Sequence, residues 1–248
     1  MFAGWQLRKY VASVYSVTAS DAIQESYRRL IKQLRKTTGG DELVFISFNY
    51  DTLLEQSLSS YHYYGLNDCE PRSNTFNIIK PHGSVNWLHV VNKSISQQKH
   101  PIPISQIGYK ENGELHQHAI VGLVANKIEY DKDKQADTCV KSLYVDRLLP
   151  LMTKELSEAH SIVVIGYSFP LVDGHIRNAL KNSNPNKFNR LIIIDKDQSE
   201  TNMKFMWDRL QLLLEVGYDR THSSDFWNQG IESWIDFHEP LIGMYPGK

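Results

Sequence analysis

Four short apolar runs, each followed closely by polar or glycine residues, dominate the hydrophobic pattern of this chain. The runs and the residues after them are Phe45-Ile-Ser-Phe before Asn49, Ile78-Ile79 before His82, Ile162 to Ile165 before Gly166, and Leu191 to Ile194 before Asp195. Apolar runs bounded by turn residues are typical of buried strands. Because ligands bind at the carboxyl ends of strands in an open α/β sheet, we expect the four strands to be parallel neighbours whose polar ends meet in one crevice.

Segments with helical periodicity lie between these strands. Asp21 and Gln24 have capping-box spacing at the start of an amphipathic stretch that reaches Arg35, and Gly39 and Gly40 follow it. Further helices are predicted over residues 52–58, 148–159, 173–180 and 203–213. Alternating strands and helices predict the α/β class, as a Rossmann-like, mostly parallel sheet with helices on both faces.

A single α/β domain over residues 1–248 is expected, with a segment of different character inside it. Residues 92–141 are polar, contain Pro101 and Pro103 and hold only short apolar pieces, so we interpret them as an insertion or lid. Near the end of the chain, Trp227 and Trp234 belong to an aromatic tail that we expect to pack back on the body of the domain.

Charge and composition argue against several function classes. Lys and Arg total 27 and Asp and Glu total 28, so the net charge of −1 gives no reason to expect binding to nucleic acid or to an anionic membrane. No apolar run approaches the ~18 residues of a spanning helix, and the start of the chain does not resemble a signal peptide, so we expect a cytoplasmic protein. The two cysteines, Cys69 and Cys139, form neither a disulfide framework nor a zinc pattern and are interpreted as reduced thiols.

The ends of the first two strands carry candidate catalytic groups. Asn49 can orient a water or a sugar hydroxyl, and Asp51 can accept hydrogen bonds from a ribose, although both residue types also form simple turns. An imidazole titrates near ~6.5, so His82 could take a proton from a sugar hydroxyl near neutral pH; a structural histidine is the alternative. Gly83 and Ser84 favour the functional interpretation, because glycine lets a ligand approach the backbone and serine would supply an exposed donor.

The ends of the two later strands carry candidate ligand-binding groups. Gly166, Tyr167 and Ser168 could admit a phosphate or ribose and bond it, or could form only a tight turn from strand to helix. Asp173 is either the cap of the next helix or a hydrogen-bonding anchor for this loop. Asp195 ends its strand as the carboxylates that bind an adenosine ribose do in dinucleotide folds, and a turn role is the alternative.

Taken in order, these segments resemble the sirtuin-like superfamily, and most of all its prokaryotic branch of NAD-consuming antiviral defence proteins. The matching motifs are Phe48-Asn49-Tyr50-Asp51 followed by Leu53-Leu54-Glu55, then His82-Gly83-Ser84-Val85-Asn86-Trp87, then Gly166-Tyr167-Ser168 through Asp173, and last Leu191 to Asp195. The likeness covers roughly residues 43–197, and four motifs in the same order make coincidence improbable.

The resemblance implies an NAD glycohydrolase. Asn49 would orient the water or the ribose, His82 would be the general base, and nicotinamide would leave through an oxocarbenium-like transition state. The side chains expected to hold the ribose and phosphates of NAD are Asp51, Ser84, Ser168 and Asp195, with Gly83, Gly166, Tyr167 and Asp173 shaping the same site. Antiphage defence is the expected setting, and a protein partner or a second copy of the chain could take part.

Two departures from the family pattern modify this expectation. Deacetylating sirtuins have a four-cysteine zinc module, which two unpaired cysteines cannot build, so no zinc is expected and hydrolysis is favoured over deacetylation. The family also opens with a strand and a Gly-Ala-Gly-Ser-type loop that holds the pyrophosphate, and no such loop precedes Asn49. The chain is therefore expected either to lack that first strand and loop or to be a degenerate, non-catalytic module that binds a nucleotide or a partner protein.

Overall fold

The computed structural model describes fifteen stretches of this chain. They are residues 21–38, 43–66, 70–73, 75–90, 95–98, 108–109, 115–120, 143–159, 161–167, 173–174, 176, 178–179, 190–195, 224–227 and 232–236. The chain divides into two compact units, the first formed by Met1–Tyr27 and Leu43–Leu151 and the second by Arg28–Glu42 and Met152–Lys248. Each unit contains a parallel sheet of three strands.

Three of the predicted helices are confirmed to within three residues at each end. They are α1 (Asp21–Thr38), α2 (Leu53–Ser57) and α3 (Leu149–Glu158), and a π-helical segment, Leu143–Leu148, leads directly into α3. Asp21 lies in the first turn of α1, where a carboxylate interacts favourably with the helix dipole. Pro150 is the second residue of α3, directly after the π-helical segment, and because proline has no backbone N–H, the change from π-helix to α-helix coincides with a missing donor.

The first unit contains the parallel sheet that positions the first candidate residues. Strands β1 (Val44–Ile46), β2 (Tyr61–Tyr63) and β3 (Phe76–Ile79) pair in the order β1-β3-β2. All four residues of the central strand β3 are buried, as expected for a parallel sheet that is covered on both faces. Phe45 lies opposite Ile78 in the register, so the segments that follow β1 and β3 leave the sheet side by side.

After β3 the chain turns at residues 80–82 and enters an antiparallel sheet. Strand β4 (Gly83–Val90) pairs with β5 (Ile95–Gln97) and with β7 (Leu115–Ile120), and β7 pairs with β6 (Gly108–Tyr109). The register between β4 and β7 shifts between Gly83 and Leu88, which marks an irregularity of the bulge type. Trp87 on β4 is buried in the core.

The second unit contains a parallel sheet of its own. Strands β8 (Ser161–Ile165), β9 (Arg190–Ile194) and β10 (Ser224–Trp227) pair in the order β10-β9-β8. Within the predicted helix 173–180, the described residues 174, 176, 178 and 179 are helical. The helix predicted over 203–213 lies outside the described residues.

The aromatic tail packs back on the second unit, as predicted. Trp234 and Ile235 lie in a buried cluster with Leu30 of α1 and with Ile192 and Ile194 of β9. Because these side chains come from segments far apart in the sequence, their burial ties the first helix and the tail to the central strand of this sheet.

The four strands that were expected to be neighbours in one sheet pair instead two and two. Among the described residues, β1 pairs with β3 and β8 pairs with β9, in two separate three-stranded sheets. The two strands of each pair are closer together in the sequence than β3 and β8 are. Pairing within each pair therefore closes a shorter loop and costs less chain entropy. The α/β class and the parallel direction of these strands are as predicted.

The segment 92–141 contributes strands β5, β6 and β7, which extend the sheet of β4. Its interpretation as an insertion or lid stays a prediction. Within the described stretches, no helix is long and apolar enough to cross a membrane.

Gly83 provides a test of the junction between the two sheets of the first unit. Its φ is +81°, and a Cβ there would lie 2.0 Å from the Ala119 carbonyl oxygen. We therefore expect Gly83→Ala to lower the free energy of unfolding by roughly 2–5 kcal/mol, from left-handed strain plus overpacking. Chemical denaturation followed by tryptophan fluorescence measures this change.

Gly166→Ala is the matched control for Gly83→Ala. The φ of Gly166 is +61°, which imposes a similar backbone strain, but a Cβ there would meet no heavy atom of the described stretches within 4 Å. This substitution should cost only roughly 1–2 kcal/mol. An equal loss in both variants would contradict the view that the Ala119 carbonyl is what requires glycine at position 83.

Candidate functional site

The turn that follows β1 is joined to the segment that follows β3 by hydrogen bonds to successive backbone carbonyls. The Phe48 carbonyl lies 3.2 Å from Nδ1 of His82, and the Tyr50 carbonyl accepts from the backbone N–H of Val85 at 2.9 Å. The Asp51 carbonyl accepts a hydrogen bond from Nζ of Lys80. Residues 48–51 are therefore held against residues 80–85, which brings Asn49 and His82 into the same part of the first unit.

His82 is buried and its ring orientation is fixed. A carbonyl oxygen can only accept, so Nδ1 of His82 must donate its proton to Phe48. In the neutral imidazole, the lone pair is then on Nε2, which is the form a general base requires. The ring packs against Phe48 and Tyr50, with centroid distances of 5.4 Å and 6.0 Å. These contacts fix both the direction and the tautomer of the imidazole.

Asn49 is exposed, in contrast to its neighbours. Tyr50 is buried and Phe48 is half-buried, whereas Asn49 between them is exposed to solvent. The backbone on both sides of Asn49 is fixed by the bonds to the Phe48 and Tyr50 carbonyls. The turn therefore presents an amide, with two donors and an acceptor, on an ordered backbone.

The Asp51 side chain binds the first backbone N–H of the following helix, α2. Its Oδ1 accepts a hydrogen bond from the backbone N–H of Leu53 at 3.0 Å, which satisfies one of the free donors at the start of α2. Thr52, at the cap position itself, makes no side-chain capping bond. At least one oxygen of Asp51 thus has a structural role, which was the alternative that turn chemistry left open.

The hydroxyl of Ser84 was expected to be exposed, and this expectation is wrong. Ser84 is fully buried, and its Oγ donates to the Tyr50 carbonyl at 3.3 Å, because the chain has already entered β4. The role of Gly83 also differs from the expected one. The Ala119 carbonyl of β7 occupies the space where a Cβ of residue 83 would lie, so no room is left there for a ligand. Both residues serve to order the turn.

A buried polar network contacts this turn through Lys80, and it was not predicted from the sequence. Lys80 Nζ forms an ion pair with Glu55 Oε1 at 2.8 Å, and the side chains are 0% and 2% exposed. Tyr63 donates its hydroxyl proton to the same oxygen at 2.8 Å and lies 3.0 Å from Asn86 Oδ1. Asn86 in turn donates from Nδ2 to the Gln98 carbonyl at 3.0 Å. The network joins α2 and strands β2 and β4 to the end of β3.

One signal in the sequence could have indicated this network. Lys80 follows the apolar strand residues Ile78 and Ile79 without a turn residue between them, at the end of a strand that should be buried on both faces. A lysine in that place must either reach solvent or pair with an acid. Glu55, on the helix that starts from the adjacent strand end, was the candidate partner.

The second unit brings together two of the remaining predicted residues. Gly166 follows β8 and Asp195 follows β9, and Gly166 N–H donates to the Ile194 carbonyl at 2.9 Å. Both residues therefore lie at the carboxyl ends of neighbouring parallel strands. Gly166 is exposed, and no heavy atom of the described residues lies within 4 Å of its Cβ position, which leaves room for a ligand to approach its backbone.

Tyr167 and Asp173 close the loop that follows β8. The Tyr167 hydroxyl donates to Asp173 Oδ2 at 2.8 Å, and Asp173 is buried. Both roles considered for Asp173 have support, because its side chain anchors the loop through Tyr167 and its carbonyl accepts from Ile176 N–H at 3.0 Å, directly before the helical residue Gly174. Ser168 lies outside the described residues.

Metal binding has no support in the described stretches. They contain no group of three or more His, Cys, Asp or Glu side chains that could hold a metal ion. Cys69 and Cys139 both lie outside those stretches.

Comparison with known proteins gives a family match and a set of similar folds. The family model described as "SIR2-like domain" matches residues 43–211. A mutant Sir2 homologue in complex with ADP ribose has a TM-score of 0.55 and 13% sequence identity, over 98% of this chain and 77% of that chain. A second mutant Sir2 homologue, in complex with 2′-O-acetyl ADP ribose, has a TM-score of 0.54 with the same identity and coverage. No curated protein matches this chain.

The buried tyrosine of the network predicts a dependence of stability on alkaline pH. Burial, and next the Glu55 carboxylate, raise the pKa of Tyr63 well above its ordinary value of 10.0. The unfolded chain therefore releases this proton first, so the stabilisation is complete below about pH 10 and is lost as the pH rises above it. Tyr63→Phe lacks the group, and its free energy of unfolding should fall less steeply above pH ~10, by up to ~1.4 kcal/mol per pH unit.

Urea unfolding of the Tyr63→Phe variant and the unmodified chain between pH 7 and 11 measures this difference. At pH 7 the variant should be less stable by about 1.5–3 kcal/mol, because it loses a hydrogen bond to a charged group. Equal slopes for both proteins above pH 10 would contradict a raised pKa for Tyr63.

Proposed function

This chain belongs to the SIR2-like domain family, and from that membership we propose that it is an NAD glycohydrolase, which cleaves NAD to nicotinamide and ADP-ribose. The observation that supports the proposal most is the pairing of an exposed amide with an oriented imidazole. Asn49 and His82 follow neighbouring parallel strands, and the Phe48 carbonyl fixes the tautomer of His82 in the basic form at Nε2. An amide and a base are the two groups that water needs in order to attack an anomeric carbon.

The proposed reaction balances with water as the only other reactant. Asn49 holds the attacking water, and Nε2 of His82 accepts its proton as the new bond forms between the water oxygen and ribose C1′. The bond between C1′ and the nicotinamide nitrogen breaks, and its electron pair stays on that nitrogen. The fixed backbone on both sides of Asn49 lowers the cost of orienting the water.

The geometry of the first unit changes the roles proposed for two residues. Asp51 and Ser84 act through the backbone they order, because Asp51 Oδ1 accepts from the first N–H of α2 and the buried Ser84 hydroxyl donates to the Tyr50 carbonyl. In the second unit, the open backbone at Gly166 and the carboxylate of Asp195 are suited to a phosphate and a ribose hydroxyl, respectively. The Tyr167–Asp173 bond keeps the loop after Gly166 in place.

The biological setting we propose is antiviral defence through consumption of NAD. This part of the proposal rests on the motif order Asn49-Tyr50-Asp51, His82-Gly83-Ser84 and Gly166-Tyr167, which resembles the defence branch of the superfamily. Cells that carry the protein should lose NAD after phage infection, and cells that carry the His82→Ala variant should not.

A second candidate is a non-catalytic SIR2-like module that binds a nucleotide or a partner protein. The observation that favours it is the internal use of three groups expected at the ligand, since Asp51 Oδ1, Ser84 Oγ and the Tyr167 hydroxyl all bond within the protein. Calorimetric titration with ADP-ribose and with NAD distinguishes the two candidates. Binding of both without release of nicotinamide would favour the module over the enzyme.

Substitution of the two proposed catalytic residues tests the site. Asn49→Ala and His82→Ala should each lower NAD turnover by the ~10²–10⁴-fold that is typical of losing a positioned catalytic group. Asn49 is exposed, so its substitution should leave the unfolding midpoint almost unchanged. Release of nicotinamide, measured by chromatography, gives the turnover.

Matched controls separate chemistry from folding. His89→Gln changes another fully buried histidine of the first unit, and Gln97→Ala changes another exposed amide. Both controls should retain turnover close to that of the unmodified chain. Full activity in both Asn49→Ala and His82→Ala would rule out the assignment of these residues.

A further inference from the structure

The ammonium group of Lys80 contacts the turn of residues 48–51, which contains Asn49. We propose that Lys80 is a positioning residue, which fixes the turn through the Asp51 carbonyl and is itself aimed by Glu55. The catalytic meaning of this inference rests on the proposed NAD cleavage. The structural part, that Lys80 orders the turn, does not.

The contacts of Lys80 Nζ define its role. It donates to Glu55 Oε1 at 2.8 Å and to the Asp51 carbonyl, which belongs to the second residue after Asn49. Two other carbonyls of the turn have donors as well. The Phe48 carbonyl accepts from His82, and the Tyr50 carbonyl accepts from Ser84 and Val85. Lys80 therefore holds the end of the turn, at the residue from which α2 starts.

Glu55 is held in place by more than the lysine. Its Oε1 also accepts from the Tyr63 hydroxyl at 2.8 Å, and the same hydroxyl lies 3.0 Å from Asn86 Oδ1. The Asn86 amide is oriented by its bond to the Gln98 carbonyl. Residues of β2 and β4 thus fix the carboxylate, which in turn fixes the direction of the lysine.

Stability alone does not account for a buried ion pair at this place. Removing two charges from water costs several kcal/mol for each ion, and apolar residues of similar volume often stabilise a protein as well or better. The Lys80 and Glu55 side chains are 0% and 2% exposed, so both charges carry nearly the whole cost of removal from water. What an apolar pair would lack is a donor for the Asp51 carbonyl, and that bond is the specific contribution of Lys80.

The consequence of losing Lys80 should be local. The Asp51 carbonyl would lose its donor, and Asp51 is also the residue whose Oδ1 accepts from Leu53 N–H at the start of α2. A freer Asp51 loosens both the first turn of α2 and the backbone next to Asn49. Strand β3 itself is held by its pairing with β1 and β2 and should be unaffected.

The double variant Glu55→Gln with Lys80→Met provides the test. It removes both buried charges together, so neither is left unpaired, and the side-chain amide that replaces the Glu55 carboxylate keeps an acceptor for the Tyr63 hydroxyl. The matched control is Lys154→Met with Glu158→Gln, which removes the same two charges from exposed positions four residues apart on α3.

Hydrogen exchange of backbone amides is the first readout. In the double variant, the Leu53 and Val85 amides, which bond to Asp51 Oδ1 and to the Tyr50 carbonyl, should exchange about tenfold to hundredfold faster. That factor corresponds to the loss of one charge-assisted hydrogen bond. The Tyr64 amide, which bonds to the Ile78 carbonyl at 3.0 Å, should keep its rate, and the control should match the unmodified chain throughout. Unchanged exchange at Leu53 and Val85 would overturn the proposal.

The kinetic readout separates positioning from a purely structural role. If the unmodified chain cleaves NAD, the double variant should lose kcat by a factor similar to that for exchange, with KM changed by less than about threefold. A folded double variant with full kcat would overturn the positioning role. No turnover by the unmodified chain would count against the proposed function alone, because the exchange experiment still decides the role of Lys80.

A measurement on the unmodified chain keeps the proposal testable if the double variant does not fold. The ammonium protons of Lys80, bonded to Glu55 and to the Asp51 carbonyl, should give a nitrogen-correlated NMR signal that is protected from exchange with water at neutral pH. Exposed lysines such as Lys154 should give none. Rapid exchange of the Lys80 ammonium would overturn the proposal.

Discussion

The ordered turn after β1 depends on one constraint, which is that its backbone carbonyls must find donors where no regular strand partner remains. Pairing with β3 ends with the bond from Ser47 N–H to the Ile79 carbonyl. Beyond that point, donors from the segment after β3 replace the ladder, and they come from a histidine ring, a backbone amide with a serine hydroxyl, and a lysine. Buried carbonyls without partners would each cost free energy, so the chemistry of residues 80–85 follows from the path of residues 48–51.

This constraint also explains why the His-Gly-Ser segment has its composition. His82 serves as a donor at Nδ1, and the same bond leaves the lone pair on Nε2, so one contact has both a structural and a chemical consequence. Gly83 admits the Ala119 carbonyl at a distance that no Cβ would allow, and Ser84 turns its hydroxyl inward to Tyr50. The exposed group that remains on the turn is the amide of Asn49.

The sequence predicted the elements better than their assembly. Helices α1, α2 and α3 and the direction of the parallel strands follow from periodicity, which is a local property. In the part of the chain that the structure describes, β1 pairs with β3 and β8 pairs with β9, and this choice of partners depends on long-range contacts that no local pattern encodes. The positions of Asn49 and His82 after two neighbouring parallel strands could be predicted from the sequence. The inward direction of the Ser84 side chain could not be predicted, because it depends on where β4 begins. The Lys80–Glu55 ion pair could not be predicted either, because charged residues are usually exposed.

We propose that this SIR2-like chain uses Asn49 and His82 to hydrolyse NAD. Incubation of the purified chain with NAD in ¹⁸O-labelled water, followed by mass spectrometry, tests it most directly. Hydrolysis by this site should give equal amounts of nicotinamide and ADP-ribose, with one ¹⁸O atom on the ribose carbon that carried nicotinamide. Intact NAD, or nicotinamide without labelled ADP-ribose, would contradict it.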